Sequence, residues 1–161
     1  SDRPFRLGDR IVVDGFDGFV EDIGIRSTRL RTLDKQMITI PNYKIVEASI
    51  LNISEEPMRK VVMKLGLTYD TTPEQMQKAI QILESMPAKI KEIDAEVLVG
   101  FTEFTSFSLN LTFIFWIKKE AHIFYTSSLV NMQILKEFNE NRLNFAFPTQ
   151  TIYLEKDEAV K

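Results

Sequence analysis

Residues 61–83, VVMKLGLTYDTTPEQMQKAIQIL, change their hydrophobic period from two to about 3.6 within a few positions. The alternation of apolar residues at the start of the stretch predicts a strand. Thr72 then stands at a helix N-cap position, Pro73 at N1 and Gln75 at N3, which is the spacing of a capping box. Apolar residues recur at helical spacing after the box, at Met76, Ala79, Ile80, Leu83 and Met86. The stretch therefore predicts a strand followed by a helix, and we expect Pro87 to end that helix.

Downstream of this helix, the chain predicts two further strands, a second helix and a last short strand. Residues 97–101 are apolar on both faces, and apolar residues alternate without a break from Phe107 to Ile117. The second helix is predicted over residues 127–141, with four side chains turned inward: Leu129, Met132, Leu135 and Phe138. The order β-α-β-β-α-β is the ferredoxin-like pattern, in which two helices cover one face of a mainly antiparallel sheet.

Upstream of residue 57, the sequence predicts a small β domain. The turn dipeptides Gly8-Asp9, Asp14-Gly15 and Asp17-Gly18 separate short apolar runs. Strands are predicted over 11–13, 19–25, 28–32, 37–40 and 49–52, a spacing typical of a small barrel or a strongly bent sheet. We therefore predict an α+β chain in three parts, with a β domain at 1–56, an α/β domain at 57–147 and a C-terminal strand and tail at 148–161.

The composition excludes several classes of protein. The 161 residues are 44% hydrophobic, which is sufficient for a buried core. A net charge of −3 argues against a general affinity for nucleic acid or anionic lipid, because such binding requires clustered Lys and Arg. The absence of cysteine excludes disulfides, thiolate catalysis and cysteine-based zinc sites. The most apolar run, at 109–117, is far shorter than the roughly 20 residues that a membrane-spanning helix needs.

The sequence shows no constellation that indicates catalysis. The single histidine, His122, lies in a polar turn, and a catalytic base or a metal ligand would need partners around it. Asp14 and Asp17 lie in a glycine-bearing turn that lacks the length and the ligand number of a calcium loop, so we interpret them as turn-forming residues. Phosphate-binding glycine motifs and a nucleophile elbow are both missing from the sequence. We predict that the chain is not an enzyme and that it holds no metal and no cofactor.

A trio of arginines leaves an alternative open. Arg29 and Arg31 share one face of a predicted strand and Arg26 is close by, so the three together are able to grip phosphates. This reading gives an Sm-like RNA-binding module. The other reading is a solvated strand face or ion pairs between subunits, and the neighbouring acids Glu21 and Asp22 favour it. A small enzyme on the ferredoxin-like half and a soluble ligand-binding regulator are further alternatives, with no residues that mark either.

Aromatic residues exceed what a core of this size requires. The chain has 12 phenylalanines, and six of them lie between Phe101 and Phe124. We predict that Phe107, Phe113 and Phe115 are buried. Because a domain of about 100 residues has a limited interior, Phe101, Phe104 and Trp116 are candidates for an exposed surplus that marks an interface.

A series of short motifs makes the sequence similar to the small-conductance mechanosensitive channel family. In the first part they are RPFRLGDRI at 3–11, the residues Gly15, Gly18, Val20 and Ile23, TxLRT at 28–32, IPN at 40–42 and NIS at 52–54. The later motifs are GLxYD at 66–70 and FxFPxQT at 145–151. The likeness runs from the first residues to about residue 155, and its specificity lies in the order and spacing of the motifs.

This resemblance implies a homoheptameric membrane channel that opens under membrane tension and releases ions and small solutes on osmotic downshock. The β domain would be Sm-like and form a ring beneath the pore, and the α/β domain would complete a hollow cage with side portals. The chain is then expected to be the cytoplasmic cage region of a subunit, on the inner membrane of a bacterium, preceded by transmembrane helices. Its expected partners are other copies of itself, the membrane and permeating solutes, without nucleic acid.

The resemblance also assigns roles to particular residues. Pro4, Phe5 and Arg6 would form the junction with a pore-lining helix. The conserved turns of the family would correspond to Gly8, Gly15, Gly18, Pro41 and Asn42. The last strand would leave its own domain and join copies from the neighbouring subunits in a small parallel barrel, through Thr151, Ile152, Tyr153 and Leu154.

Overall fold

The computed structural model describes residues 3–154, and the chain divides into two compact units between Pro57 and Met58. The first unit is an antiparallel sheet of five strands, which are β1 (Arg10–Val13), β2 (Phe16–Ile23), β3 (Ser27–Thr32), β4 (Met37–Pro41) and β5 (Leu51–Asn52), in the order β4-β3-β2-β1-β5. A short helix, α1 (Asn42–Glu47), follows β4, and a 3₁₀ turn (Ile53–Glu55) follows β5.

The core of the first unit follows from the two-residue period of its strands. Ile11 and Val13 alternate with half-buried neighbours on β1, and Val20 of β2 lies opposite Leu30 of β3. A bulge between Val20 and Asp22 shifts the register of that pair of strands and increases the local bend. The buried side chains of this core are Phe5, Ile11, Val13, Val20, Leu30, Ile40 and Ile45.

Three local features of the first unit differ from the sequence prediction. The turn predicted at Asp17-Gly18 is wrong, because both residues lie within β2 and pair with β1. Helix α1 was not predicted. It directly follows Pro41, which ends β4 because it has no N–H to donate to a ladder. The fifth strand, predicted over 49–52, contains only Leu51 and Asn52. These two residues pair with Val12 and Ile11 of β1.

The second unit has three antiparallel strands and three helices. The strands are β6 (Met58–Leu67), β7 (Ile93–Phe104) and β8 (Leu109–Lys118), in the order β6-β8-β7, and the helices are α2 (Pro73–Glu84), α3 (Met86–Lys89) and α4 (Ile123–Glu140). Among residues 3–154 no helix has both the length and the apolar character needed to cross a bilayer.

The start of α2 confirms the predicted capping box, whereas its end differs from the prediction. The Thr72 hydroxyl accepts a hydrogen bond from the backbone N–H of Gln75 at 3.2 Å, and the Gln75 side chain accepts one from the N–H of Thr72 at 2.8 Å. Pro87 does not end this helix, because α2 stops at Glu84 and Pro87 lies in the first turn of α3. A proline is tolerated there, since the first turn of a helix has no internal partner for its N–H.

The long alternating strand β8 forms the centre of the second core. Every second side chain from Leu109 to Ile117 is buried, and Phe113 and Phe115 are fully so. The prediction that Phe107 belongs to this row is wrong, because the strand begins at Leu109 and Phe107 is exposed. The turn before it is closed by hydrogen bonds between Thr105 and Ser108, which leave the intervening residues outside the ladder.

Helix α4 presents a different face to this core from the one predicted. Its buried residues are Thr126, Val130, Ile134 and Phe138. Leu129, Met132 and Leu135, which were predicted to point inward with Phe138, are exposed. The error arose because both faces of the helix carry apolar residues at helical spacing, so periodicity alone did not identify the buried one.

The predicted last strand is not formed in the described chain. Residues 151–154 are exposed and have no strand conformation. The chain after α4 instead makes an isolated antiparallel bridge between Phe145 and Leu67, flanked by hydrogen bonds from Thr68 N–H to Asn144 at 3.1 Å and from Ala146 N–H to Gly66 at 2.9 Å. On the edge of β6 that faces away from β8, pairing goes no further than this bridge among residues 3–154. Pro148 explains why it stops, because proline has no N–H to donate.

Candidate functional site

The segment Pro4–Asp9 is held firmly against the first unit. Phe5 is buried in the core, while Pro4 and Arg6 on either side of it are exposed. A tight turn follows, in which the Arg6 N–H donates to the Asp9 carboxylate at 2.9 Å and the Asp9 N–H donates to the Arg6 carbonyl at 3.1 Å. Gly8 sits in this turn with φ at +87°, a conformation that favours glycine. Arg6 therefore lies between a buried aromatic side chain and a turn closed by hydrogen bonds.

Two residues from the far end of the unit form hydrogen bonds with this segment and with Arg10, which follows it. The Asn52 side-chain amide donates to the Pro4 carbonyl at 3.1 Å and to the Asp9 carboxylate at 3.0 Å. The Arg10 N–H donates to the Ser54 hydroxyl at 2.8 Å. The motifs at 3–11 and 52–54, far apart in sequence, thus form one hydrogen-bonded junction, and sequence reasoning had assigned no role to Asn52 or Ser54.

The backbone of the same segment is bonded to β2. The Gly8 N–H donates to the Val20 carbonyl at 2.8 Å, and the Val20 N–H donates to the Asp9 carbonyl at 2.8 Å. Because Val20 is itself a core residue, these two bonds connect the junction directly to the interior of the sheet. The junction is therefore continuous with the folded unit.

Glycine stands at positions 15 and 18 for two distinct physical reasons. Gly15 has φ at +78° in the turn between β1 and β2, where the preceding Asp14 is also left-handed at +49°. Gly18 is buried against β3, and a Cβ built on it would stand 2.8 Å from the carbonyl oxygen of Arg31. The first glycine permits a turn, and the second permits two strands to approach closely.

Asp17, which was predicted to form a turn, lies on β2 and takes part in an ion pair. Asp17 receives two hydrogen bonds from the Arg10 guanidinium, at 2.9 and 2.8 Å. This bidentate bond raises the pKa of Arg10, against a smaller lowering by partial burial. No group of three or more residues able to hold a metal ion occurs in the part of the chain that the structure describes.

Asn42 fixes the turn between β2 and β3. Its side-chain amide donates to the carbonyls of Gly24 at 2.9 Å and of Ile25 at 3.1 Å, and its own N–H donates to the Arg26 carbonyl at 2.9 Å. The hydroxyl of the buried Thr28 donates to the Asn42 side-chain oxygen at 2.8 Å. Asn42 therefore holds this turn with three hydrogen bonds, although its tip residue Ile25 is almost completely exposed.

The arginine trio does not form a single cluster of unpaired charge. The Arg31 guanidinium binds Glu21 with two hydrogen bonds, at 2.8 and 3.2 Å, and donates a third to the Lys35 carbonyl at 3.1 Å. The pair with Arg31 lowers the pKa of Glu21 and raises the pKa of Arg31. Arg29 lies opposite Asp22 on β2. The neighbouring acids thus offset much of the positive charge on this strand.

The second unit places the remaining sequence candidates on its surface. His122 immediately precedes α4, and its ring lies 4.7 Å from the ring of Tyr125. Phe101 and Phe104 are exposed, as the excess of aromatic residues predicted, and their rings are 4.9 Å apart. Trp116 is half-buried. Residues 151–154 are exposed along their whole length, so their assignment to a strand shared between subunits stays a prediction.

Comparison with known proteins gives consistent matches for both units. A family described as mechanosensitive ion channel, beta-domain, matches residues 1–55, and one described as mechanosensitive ion channel MscS, C-terminal, matches residues 61–145. The small-conductance mechanosensitive channel MscMJ of Methanocaldococcus jannaschii is 38% identical over 97% of this chain and 45% of its own length. The large-conductance channel MscMJLR of the same organism is 37% identical over 98% of this chain and 45% of its length.

Solved structures agree with these matches. The closed-state crystal structure of MscS from Helicobacter pylori has a TM-score of 0.80 and 28% identity, and it covers 96% of this chain and 60% of that protein. MSL1 of Arabidopsis thaliana, at 20% identity and a TM-score of 0.76, shows the same fold over 91% of this chain. The α+β fold is therefore that of MscS structures, and the chain spans less than half the length of the curated relatives named above.

Proposed function

The chain belongs to the MscS family of mechanosensitive ion channels, and we propose that it is the cytoplasmic cage region of a subunit in a tension-gated membrane channel. In this proposal the membrane part corresponds to the additional length of the relatives. Open channels would release ions and small solutes when the external osmolarity falls. The membrane we propose is the bacterial inner membrane, with this region on its cytoplasmic side.

The fastened junction at Pro4–Asp9 is the observation that carries the proposal. Tension shifts a channel between states only if those states differ in area, and the change must be transmitted between the membrane part and the rest of the subunit. The junction suits such transmission, since Phe5 is buried and Asn52 bonds to both Pro4 and Asp9. In this mechanism the Pro4-Phe5-Arg6 segment moves together with β1 and β2.

The two units fit the domain types that the proposal requires. The five-stranded antiparallel sheet, with its bulge in β2, supports an Sm-like assignment for 1–56. The strand order β6-β8-β7, with α2 and α4 packed into one core with β8, supports a ferredoxin-like assignment for 57–147. We propose seven copies in a ring, with Thr151, Ile152, Tyr153 and Leu154 from each copy in a shared parallel barrel.

The proposed permeation role involves no catalytic chemistry. Side portals of a cage select ions by the charges that line them. A role in catalysis is not part of the proposal, and the relatives with a named activity are channels.

Native mass of the purified chain tests the assembly. Seven copies of 18.7 kDa would have a mass of about 131 kDa in light scattering or native mass spectrometry. A chain deleted from Thr151 onward is the matched variant, because the residues removed from 151 to 154 are exposed and the core stays intact. If that deletion leaves assembly unchanged, the shared-barrel part of the proposal is wrong.

A chimera tests the channel function itself. This chain would replace the corresponding region of MscMJ, and excised membrane patches would be stretched by suction while current is recorded. We expect tension-dependent opening, which weakening the junction by Asn52→Leu should shift to a different tension. A folded chimera that reaches the membrane and never conducts would contradict the proposal.

A further inference from the structure

The outer face of α4 is apolar over its first three turns. Its exposed apolar residues are between 44% and 72% accessible and comprise Ile123, Phe124, Tyr125, Leu129, Met132 and Leu135, which we call the α4 patch. No charged side chain occurs between Ile123 and Leu135. A surface helix normally carries charged residues on the face opposite its core, so this helix has the composition of one that is covered on both sides.

The size of the α4 patch is that of a protein interface. A fully exposed side chain of this size presents roughly 200 Å², so these fractions leave on the order of 700 Å² uncovered. The largest apolar patch on a typical monomer is about 300–600 Å², and each partner in a specific complex contributes about 800 Å². The α4 patch therefore supplies, alone, most of one partner's share of a stable contact.

A second apolar surface lies elsewhere on the same unit. It is a groove of about 550 Å³ between the start of α2 and the end of β7, and none of its lining residues is charged. Its apolar walls are Tyr69, Met76, Ile80, Phe101, Phe104 and Leu109. Tyr69 is held by a hydrogen bond from its hydroxyl to the Thr105 carbonyl, and Phe104 is 73% exposed at the rim. We call this surface the aromatic groove.

We propose that the α4 patch of one copy docks into the aromatic groove of the next copy. The inference rests on the self-association in the proposed function and adds to it the surfaces of the second unit that make the contact. A head-to-tail contact that closes into a ring requires two different surfaces on each copy, and these are two large uncharged surfaces of this unit. Neither surface carries a charge that would need a charged partner. A second copy of this chain offers each surface an uncharged, largely apolar surface to pack against.

The residue types on the two sides match in detail. Met132 lies in the middle of the α4 patch, and a flexible thioether makes favourable contacts with aromatic edges such as those of Phe101 and Phe104. Tyr125 adds a hydroxyl to the α4 patch, and Thr71 and Gln77 supply polar groups at the groove. Apolar anchors in the centre with polar groups around them are the usual composition of an interface.

Cysteine cross-linking tests the contact, since the natural chain contains no cysteine. Ser128→Cys places a thiol on the exposed face of α4, and Gln77→Cys places a thiol at the exposed rim of the groove. Neither substitution removes an apolar residue from the two surfaces. The full chain with both substitutions is treated with a short bis-maleimide reagent and analysed on a denaturing gel. The matched control replaces Gln77→Cys by Lys60→Cys, an exposed position on β6.

The expected result is a ladder of linked copies from the double variant, at least tenfold more abundant than from the control pair. A mixture of the two single variants should give linked dimers, whereas each single variant alone should stay unlinked. Adding Met132→Glu to the double variant should abolish the ladder, because it places a charge in the centre of the contact. Circular dichroism confirms that each variant is folded.

Three results would overturn the inference. Dimers from Ser128→Cys alone, as abundant as the ladder, would show an α4-to-α4 contact instead. A native mass near seven copies without cross-linking above the control would leave the proposed function intact and refute this pair of surfaces. A monomeric mass at every concentration would refute both the inference and the proposed self-association.

Discussion

The substitution Asn52→Asp tests the junction in the first unit most directly. It keeps the size of the side chain but replaces the amide group that donates to the Pro4 carbonyl and to the Asp9 carboxylate. The side-chain oxygen of Asn52 is buried and, among the described residues, has no hydrogen-bond partner, so the natural residue acts here only as a donor. The variant therefore loses both bonds and sets two carboxylates about 3 Å apart.

The magnitude follows from these bonds. A hydrogen bond between neutral groups contributes about 0.5–1.5 kcal/mol and one to a charged group about 1.5–3 kcal/mol, so we expect a loss of roughly 3 kcal/mol at pH 7. Below neutral pH one of the facing carboxyls in the variant takes up a proton and donates to the other. The folded variant then binds a proton that the unfolded chain, with ordinary carboxyl pKa values near 4, does not bind. Its stability should fall as pH rises, and part of the loss should be recovered near pH 4.

Amide hydrogen exchange measures this effect locally. The N–H groups of Gly8 and Val20 bond across the junction, so their protection reports its opening without requiring the second unit to unfold. Asn52→Leu is the matched control, since it loses the same two bonds and adds no charge. We expect its deficit to change less steeply with pH, because the variant adds no second carboxylate. Equal pH dependence in the two variants, or unchanged protection in Asn52→Asp, would refute the reasoning.

Three other substitutions test single contacts. Gly18→Ala should destabilise the first unit by about 2 kcal/mol in urea unfolding, because the new Cβ would meet a backbone carbonyl of the adjacent strand; an unchanged midpoint would contradict this close approach. Thr28→Val should lower stability by about 1–2 kcal/mol, and a double-mutant cycle with Asn42→Ala should show that the two losses are not additive. Glu137→Gln should lose about 1 kcal/mol at pH 7, measured by tryptophan fluorescence. Burial tends to raise the pKa of Glu137, but hydrogen bonds from Lys89 and Gln133 lower it overall. The stabilisation from the ionised Glu137 is therefore present above the ordinary pKa of 4.5 and should fade as pH falls below it. A constant difference between the variant and the natural chain down to pH 3 would argue against the pair.

Local signals along the chain predicted most elements of the fold correctly. The capping box at Thr72 and Gln75 fixed the start of α2, since its two hydrogen bonds involve residues only three positions apart. The uninterrupted alternation of β8 likewise identified the buried face of that strand. Both signals depend on short segments whose geometry is repetitive, and sequence reasoning reads these well.

Features that depend on distant partners were not predictable in the same way. Packing against the sheet decides which face of α4 is buried. Because the opposite face also carries apolar residues, the sequence alone did not identify the buried face. At the junction, Asn52 meets Pro4 and Asp9 across more than 40 positions, and no local pattern marks that meeting. The motif likeness pointed to these residues as a group, but their individual contacts appear only in three dimensions.

The proline after the bridge at Phe145 has a consequence for how copies of this chain avoid misassembly. Strand β6 lies at the edge of its sheet, and Lys60 and Lys64 are exposed along it. Copies held close together in any assembly face one another at an effective concentration on the order of millimolar, where free strand edges tend to join into fibres. Pro148 stops the chain's own ladder, and the lysines make the remaining edge repel a second edge of its kind. In the proposed assembly, these features would keep closely spaced subunits from joining through the edges of their sheets.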